Sequence, residues 1–389
     1  MGHPLPQVLQ RRGQEARGLS CGSLLPFSTP ARIKQIVREA ATDAGFELCG
    51  IAPVGNFPET NHYCEWIAAG HAGEMKYLEA RNQEGALQRA SLQFAVPWAR
   101  SVIVCAINYN TRQPYSTQVD DPKRGWISRY AWGAEDYHES AMRRLKQVAE
   151  RLQQEFAQQN IQMRCYVDTG PVSERIYAKY AGVGWVGKNT CIINQKQGSW
   201  LFLGVILTSI ELEPDIPAAD RCGTCTRCIQ ACPTDAFVGP YQLDSNRCIS
   251  YLTIEKRGEI AEELRSGMGH QVFGCDICQD VCPWNRKAPF ASAAEFQPRD
   301  GLVNPSLEWL AEMDEPAFQQ IFRKSPVRRA KFAGLRRNIA IAMGNSGTQG
   351  FIPTLEKMAK DERTEVSDAA NWALTRLGCA SNHSVSPKF

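Results

Sequence analysis

The cysteine spacing between positions 222 and 283 constrains the fold of this chain more than any other feature. The motifs read Cys222-Gly-Thr-Cys225-Thr-Arg-Cys228-Ile-Gln-Ala-Cys232-Pro233 and Cys275-Asp-Ile-Cys278-Gln-Asp-Val-Cys282-Pro283, with Cys248 between them. This is the C-x2-C-x2-C-x3-C-P spacing of bacterial two-cluster ferredoxins, in which the cysteine before proline binds the other cluster. The second motif lacks its first C-x2-C step, and Cys248 is the natural replacement for the missing ligand.

The spacing therefore predicts two 4Fe–4S clusters with four thiolates each. The ligands predicted for cluster 1 are Cys222, Cys225, Cys228 and Cys282. The ligands predicted for cluster 2 are Cys232, Cys248, Cys275 and Cys278. The alternative is a pair of zinc ribbons or disulfides, but zinc sites favour two CxxC pairs rather than two CxxxCP endings.

The composition bounds the compartment and the number of domains. With 389 residues the chain is long enough for two or three domains. Its fifteen cysteines are an odd number, which argues against a disulfide framework, and iron–sulfur thiolates need a reducing compartment. We therefore expect a cytoplasmic protein. No apolar run is long enough to span a membrane, and residues 1–30 are interpreted as a loose extension rather than a secretory signal.

The order of helical and strand patterns predicts an α+β protein in three parts. Residues 31–212 alternate between the two patterns and are expected to form a sheet domain of α/β or α+β type. Residues 213–295 carry the cysteines and predict a dicluster ferredoxin-like domain. Residues 296–389 predict an all-helical region, in which Arg336–Asn345 recurs weakly at Ser367–Leu374. This recurrence favours a HEAT-like repeat, and an ordinary helical hairpin is the alternative.

A basic stretch in the helical region indicates a nucleic-acid surface. No Asp or Glu occurs from Pro316 to Leu355. The same stretch contains Arg323, Lys324, Arg328, Arg329, Lys331, Arg336 and Arg337. Grouped on one end of a helical repeat, these side chains would hold a phosphate backbone. The alternative is a solvated face, which is what a run of like charges usually is.

Two clusters in series conduct electrons but do not catalyse a reaction, so an electron acceptor must lie nearby. The N-terminal domain has no GxGxxG after a strand and no GxxxxGK[ST], so neither a Rossmann site nor a P-loop is indicated. Its strand ends do carry groups of polar residues, where ligand sites of open sheets are commonly found. The residues alone therefore indicate a redox enzyme with an unidentified cofactor.

Further segments carry a resemblance to a known family. They read Val167-Asp-Thr-Gly-Pro-Val-Ser-Glu-Arg175, Gly182-Val-Gly-Trp-Val-Gly-Lys-Asn189, Gly198-Ser-Trp200, Cys248-Ile-Ser-Tyr-Leu-Thr-Ile-Glu255 and Arg336-Arg-Asn338. With the cysteine motifs, they resemble the epoxyqueuosine reductases, which are cobalamin-dependent iron–sulfur enzymes of tRNA queuosine synthesis. A more distant resemblance extends to the reductive dehalogenases. The resemblance to the epoxyqueuosine reductases implies that the epoxide of epoxyqueuosine, at the wobble position of a tRNA anticodon, is reduced to an alkene with loss of water.

The resemblance also implies roles for particular residues. Asp136, in the family's Asp-Tyr-His, is the expected proton donor and would need a raised pKa; the alternative is a helix N-cap. His138 is expected to support the structure, because Ala141 replaces the glycine of the DxHxxG cobalamin motif. The residues expected to bind cobalamin are Arg81, Cys105, Asp136, Asp168, Thr169, Ser173, Arg175, Lys188, Asn189 and Ser199. For Cys105, strand packing is the favoured alternative.

The expected partners are tRNA carrying epoxyqueuosine and an unidentified low-potential electron donor, with no membrane contact and a monomeric protein. Three rival functions remain from the sequence. A reductive dehalogenase would normally carry an export signal and lack the basic stretch. A ferredoxin-type electron-transfer protein would have no cofactor pocket. A HEAT-type tRNA-binding scaffold would show no redox activity.

Overall fold

The computed structural model describes residues 29–379, so the expected extension over residues 1–30 lies almost entirely outside the described part. The helices are α1 (Pro30–Asp43), α2 (Pro58–Ala68), α3 (Leu92–Ala95), α4 (Tyr137–Glu155), α5 (Glu174–Tyr180), α6 (Arg227–Gln230), α7 (Ile249–Ile254), α8 (Glu262–Arg265), α9 (Ile277–Asp280), α10 (Leu307–Glu312), α11 (Glu315–Ile321), α12 (Lys331–Asn345), α13 (Ile352–Met358) and α14 (Thr364–Cys379). The strands are β1 (Leu48–Pro53), β2 (Ser101–Asn108), β3 (Trp126–Ile127), β4 (Met163–Tyr166), β5 (Trp185–Val186), β6 (Ile192–Ile193), β7 (Leu201–Thr208), β8 (Phe237–Gly239), β9 (Gln242–Leu243) and β10 (Gln271–Phe273).

The N-terminal part is built on a four-stranded sheet with the order β1-β2-β7-β4. Every neighbouring pair in it is antiparallel, so the α/β alternative is wrong for this sheet and the mixed α+β class is confirmed. Strand β2 is buried along its whole length, because helices cover both faces of the sheet. Ile103 and Ile107 pack on the side of α1 and α4, whereas Val102 and Val104 pack on the side of α5.

The C-terminal helices share a hydrophobic core with the segments around the second cysteine motif. Buried side chains of α7, β3 and β10 belong to the same apolar cluster as those of α10, α12 and α14. Helices α12 and α14, which carry the two weakly similar stretches, pack closely, since a Cβ atom on Gly344 would lie 2.7 Å from that of Ala373. Between residues 29 and 379, no helix combines the length and the apolar character needed to cross a bilayer.

Arg337 lies in this shared core, and its predicted role in RNA binding is wrong. Its side chain is 1% exposed. Its guanidinium donates to the carbonyl oxygens of Leu252 (2.7 Å), Lys256 (3.0 Å) and Gly258 (2.6 Å). The neighbouring Asn338 is also buried and joins the same region by donating to Thr253 and Val272. Arg337 and Asn338 therefore fasten α12 to the segment that follows Cys248 and to β10.

Arg337→Ala is expected to lower the free energy of unfolding by about 3 kcal/mol or more. The substitution leaves three carbonyl oxygens without their charged donor and opens a cavity in the core. Denaturant unfolding of anaerobic protein would measure the change. Arg323→Ala is the matched control, because Arg323 is exposed and should leave stability unchanged. Equal stability of the two variants would contradict the structural role of Arg337.

Candidate active site

The cysteines assigned to cluster 1 lie together in the fold. Burial raises the pKa of Cys282 to about 11, and the neighbouring Cys228 and Cys222 thiols add to the shift. Burial also raises the pKa of Cys228, whose neighbouring thiols include Cys222 and Cys225. Cys282, from the second motif, thus lies near Cys222 and Cys228 of the first.

The cysteines assigned to cluster 2 form a second group. Burial raises the pKa of Cys275, with Cys248 and Cys232 as neighbouring thiols. Burial likewise raises the pKa of Cys248, and Cys232 contributes. Cys278 has Cys275 and Cys248 beside it. Cys248 therefore lies beside Cys232, Cys275 and Cys278, the other residues assigned to cluster 2.

These two groups fit the donor sets of two 4Fe–4S clusters. Within residues 29–379, no group of three or more histidine, cysteine, aspartate or glutamate side chains converges on a single metal ion. The four thiolates of a 4Fe–4S cluster each bind a different iron, so they surround a larger volume than the ligands of one ion do.

Cys191 is a ninth thiol in this region and lies outside the two cysteine motifs. Its side chain makes a hydrogen bond with that of Cys278, and this contact is the largest cause of its lowered pKa. The Asn189 side chain fixes the arrangement, because it accepts from the Cys191 backbone N–H (3.3 Å) and donates to the Cys278 carbonyl (3.3 Å). An isolated cysteine gives no spacing signal, so only the fold brings it here.

Asn189, Lys188 and Ser199 hold the cysteine loops. Asn189 and Ser199 are 3% and 4% exposed. The Ser199 hydroxyl accepts from Gln279 (3.0 Å) and Asn285 (2.9 Å). Lys188 donates to the carbonyl oxygens of Gly223 and Cys225, which belong to the first motif. The predicted cobalamin contacts of Asn189 and Ser199 are therefore wrong, because neither side chain reaches an open surface.

Cys105 has the packing role that is the alternative to a cobalamin contact. It lies in the middle of β2, is fully buried, and has its sulfur 3.9 Å from that of Cys49 on β1. The hydrogen bond with Cys49 and then burial raise its pKa far above the usual range. Its side chain belongs to the core between the sheet and helices α1 and α4. It is a packing residue and has no surface to offer a cofactor.

Asp136 caps α4, and its carboxylate is held by charged and polar partners. Oδ1 accepts from the His138 backbone N–H at 3.1 Å and lies 3.2 Å from His138 Nδ1. Arg329 Nη2 donates to Oδ1 at 3.0 Å and to Oδ2 at 2.9 Å. Burial alone would raise the pKa of Asp136, but the hydrogen bonds from His138 and the charge of Arg329 lower it overall. The expected raised pKa of Asp136 is therefore wrong for this arrangement. Asp136 both caps α4 and pairs with Arg329.

The turn after β4 lies beside Asp136. Asp168 has a left-handed backbone with φ of 59° and a largely exposed side chain. Its carboxylate accepts from the Tyr137 hydroxyl at 3.0 Å and lies 3.7 Å from His138 Nε2. Thr169 and Arg175 are exposed and Ser173 is half-buried, so these predicted cofactor residues remain accessible.

Two buried polar atoms near this turn have no hydrogen-bond partner among the described residues, His138 Nε2 and Glu174 Oε1. Burial, reinforced by the charge of Asp168, raises the pKa of Glu174 to about 7. Unpaired buried polar atoms are uncommon in folded proteins and call for an explanation such as a ligand. The turn over residues 168–175 therefore fits a polar cofactor. Arg81, the other predicted contact, is exposed and donates to the Gly85 carbonyl at 2.7 Å.

The basic stretch meets Asp136 in one cavity of about 350 Å³. The cations that line it are Arg323, Lys324, Arg328, Arg329 and Lys331. Arg336 does not line it, because its guanidinium pairs with Asp361 at 3.2 Å and donates to the Ala311 carbonyl at 3.1 Å. Five of the seven predicted RNA-binding residues thus share a cavity with the predicted proton donor, and Arg336 and Arg337 are excluded from it.

Two regions of the chain match known families. Residues 221–285 match the family described as a 4Fe-4S double cluster binding domain. Residues 89–169 match the family described as epoxyqueuosine reductase QueG, DUF1730. The epoxyqueuosine reductase of Xanthomonas campestris is 38% identical over 356 residues, which cover 91% of this chain and 97% of that protein. The chain belongs to the epoxyqueuosine reductase family.

Other members of the epoxyqueuosine reductase family support the same relationship. The Pseudomonas aeruginosa protein is 41% identical over 90% of this chain and 96% of its own length. A crystal structure of an epoxyqueuosine reductase with an epoxyqueuosine-modified tRNA-Tyr stem loop superposes with a TM-score of 0.80, at 29% identity, and covers 90% of this chain and 91% of that one. The Bacillus subtilis epoxyqueuosine reductase, solved with its catalytic aspartate loop swung out of the active site, gives a TM-score of 0.80 at 28% identity, again covering 90% of this chain and 91% of that one.

Proposed function

We propose that this protein reduces epoxyqueuosine to queuosine at the wobble position of tRNA, using two 4Fe–4S clusters and cobalamin. The reaction takes up two electrons and two protons, breaks both carbon–oxygen bonds of the epoxide, and yields an alkene and one water. The electrons come from a low-potential donor of unidentified nature, and the protons must come from groups near the epoxide oxygen.

The observation that carries this proposal is the cavity shared by Asp136 and five cations. A modified nucleoside in an anticodon loop brings phosphates with it, and clustered Arg and Lys side chains bind phosphates without reading the sequence. A related structure contains an epoxyqueuosine-modified stem loop. RNA in this cavity would set its backbone against the cations and a base near Asp136.

The two groups of thiols are the proposed cluster ligands, with Cys222, Cys225, Cys228 and Cys282 for cluster 1 and Cys232, Cys248, Cys275 and Cys278 for cluster 2. In the proposed layout, residues 31–212 bind cobalamin, residues 213–295 carry the clusters and residues 296–389 form the HEAT-like RNA-binding part. The protein is proposed to act as a monomer. The close packing of α12 on α14 supports the repeat, because repeat helices bury their apolar faces against one another.

The proposed cobalamin contacts are Arg81, Asp168, Thr169, Ser173 and Arg175, with Asp136 beside them. Cobalamin, when bound, supplies the low-potential reducing centre that opens the epoxide. The turn at residues 168–175 offers backbone N–H groups and small polar side chains to the amide-rich rim of a corrin. Lys188 supports this site indirectly, because it holds the first cysteine loop in place.

Asp136 is proposed to donate a proton to the epoxide oxygen. Opening the ring places negative charge on that oxygen, and a positioned acid contributes to the rate by neutralising it. The His138 backbone N–H donates to the Asp136 carboxylate and orients it. The Tyr137 hydroxyl holds Asp168 across the turn. These contacts hold the Asp136 carboxylate in place where it lines the cavity.

The direct test is incubation of anaerobically reconstituted protein, cobalamin and a low-potential reductant with epoxyqueuosine-containing tRNA. Nucleoside mass spectrometry should show the loss of one oxygen atom from the modified base. A ferredoxin-type protein or an RNA-binding scaffold would leave the nucleoside unchanged. Activity that does not depend on added cobalamin would contradict the proposed cofactor.

Lys324→Ala and Arg328→Ala are each expected to weaken anticodon stem-loop binding and its dependence on salt. Removing one phosphate contact makes the plot of log affinity against log salt concentration shallower by about one. Fluorescence anisotropy over a salt series would measure both effects. Lys357→Ala is the control, because Lys357 is an exposed cation on α13 that does not line the cavity. Equal salt slopes for all three variants would place the RNA elsewhere.

A further inference from the structure

The ion pair between Arg329 and Asp136 conflicts with the proposed role of Asp136. Both carboxylate oxygens lie within 3.0 Å of Arg329 Nη2, and the charge of Arg329 helps to lower the pKa of Asp136. A carboxylate held in this way stays ionised near neutral pH and has no proton to donate. The arrangement in the free protein therefore suppresses the acid that the reaction needs.

Arg329 belongs to the basic set that faces the RNA. It follows Pro326 on a short helical segment and stacks over the Tyr137 ring, with its guanidinium carbon 5.3 Å from the ring centre. Arg323, Lys324, Arg328 and Lys331 line the same cavity. A phosphate that enters this cavity therefore competes with Asp136 for Arg329, and guanidinium groups pair readily with phosphate through two parallel hydrogen bonds.

We propose that Arg329 is a latch, which keeps Asp136 ionised in the free protein and moves to an RNA phosphate when the anticodon loop binds. This inference rests on the proposed function and adds that the acid becomes protonatable only with RNA in place. Arg329 is a positioning residue, since it acts through Asp136. The proton is taken from solvent by Asp136 Oδ1 or Oδ2 as the hydrogen bonds from Arg329 are broken.

The latch has a thermodynamic consequence that does not depend on turnover. Losing a cationic partner raises the pKa of a carboxyl, so Asp136 binds more protons in the RNA complex than in the free protein. RNA binding must then take up protons, and the uptake must grow as the pH falls from about 7 to about 5. Other ionisable groups face Asp136 or the cavity and contribute to a background, namely His138 and Glu139 on α4, Tyr130, Asp168 and Glu315.

Isothermal titration of the reconstituted full chain with an unmodified anticodon stem-loop, in buffers of different ionisation enthalpy, measures this uptake. The wild type should take up a clear fraction of one proton per RNA, and Asp136→Asn should take up much less. Asparagine can still cap α4, so the variant should fold. Arg329→Ala should bind RNA with reduced uptake, because Asp136 is already free of the latch, whereas Arg329→Lys should restore part of the uptake.

The outcomes separate the latch from the proposed function. RNA binding without proton uptake, or with uptake that Asp136→Asn leaves unchanged, would overturn the latch and leave RNA binding intact. A stem-loop that does not bind at all would overturn the proposed RNA site, and the latch with it. A larger uptake in Arg329→Ala than in the wild type would also reject the latch, since it reverses the expected order.

Discussion

Asp136→Asn is expected to lower turnover of epoxyqueuosine-containing tRNA by about 10²- to 10⁴-fold, the usual contribution of a general acid. The amide keeps the size of the side chain and can still accept from the His138 backbone N–H, so α4 remains capped. It cannot give a proton to the epoxide oxygen. Single-turnover assays with nucleoside mass spectrometry would measure the loss directly.

Glu139→Gln is the matched control for this experiment. Glu139 lines the same cavity and its substitution removes the same charge, but no contact ties its carboxylate to His138 or Arg329. We expect RNA affinity to change a little in both variants, because each removes a negative charge near the phosphates. Only Asp136→Asn should lose the chemical step. Equal turnover in the two variants would remove Asp136 from the mechanism.

The position of Asp136 could be predicted from the local sequence, but its pKa could not. Its place at the start of α4 follows from the cap preference of aspartate and from the amphipathic pattern after it, and the structure begins α4 at Tyr137. Its pKa is lowered by hydrogen bonds from His138, two positions along the chain, and by the charge of Arg329, which is 193 positions away. No periodicity or motif links Asp136 to Arg329, so this partner could not be predicted, and the family resemblance implied only a proton donor with a raised pKa.

The prediction that Arg337 binds RNA was wrong for a similar reason. Charge alone grouped Arg337 with Arg323, because a run without acids predicts a common surface. The fold instead uses Arg337 to satisfy buried carbonyl groups after Cys248, while Arg323 faces the cavity. A buried arginine is uncommon, so the composition favours an exposed position for both residues. Which arginines are buried depended on the packing of α12 against α7 and β10.

Cys248→Ser is expected to remove cluster 2 and, with it, all turnover. The spacing of the motifs and the neighbouring Cys232 and Cys275 thiols both assign Cys248 to this cluster. Iron in the anaerobically reconstituted protein should fall from about eight atoms per chain towards about four, because one of two 4Fe–4S clusters loses a thiolate. Iron analysis and low-temperature electron paramagnetic resonance would measure the loss.

Cys191→Ser is the variant that makes this experiment decisive, because Cys191 lies against Cys278 in the same buried region. If eight thiolates hold two clusters, Cys191 is the one left over, and its serine variant keeps about eight irons and its resonance signals. If Cys191 were a ligand in place of Cys248, the two variants would exchange their results. The ferredoxin spacing argues against that exchange, since Cys248 has the second motif and Cys232 as its partners, whereas Cys191 lies outside the cysteine motifs, in the sheet domain. Loss of iron in both variants would mean that Cys191 is needed to assemble a cluster that it does not bind.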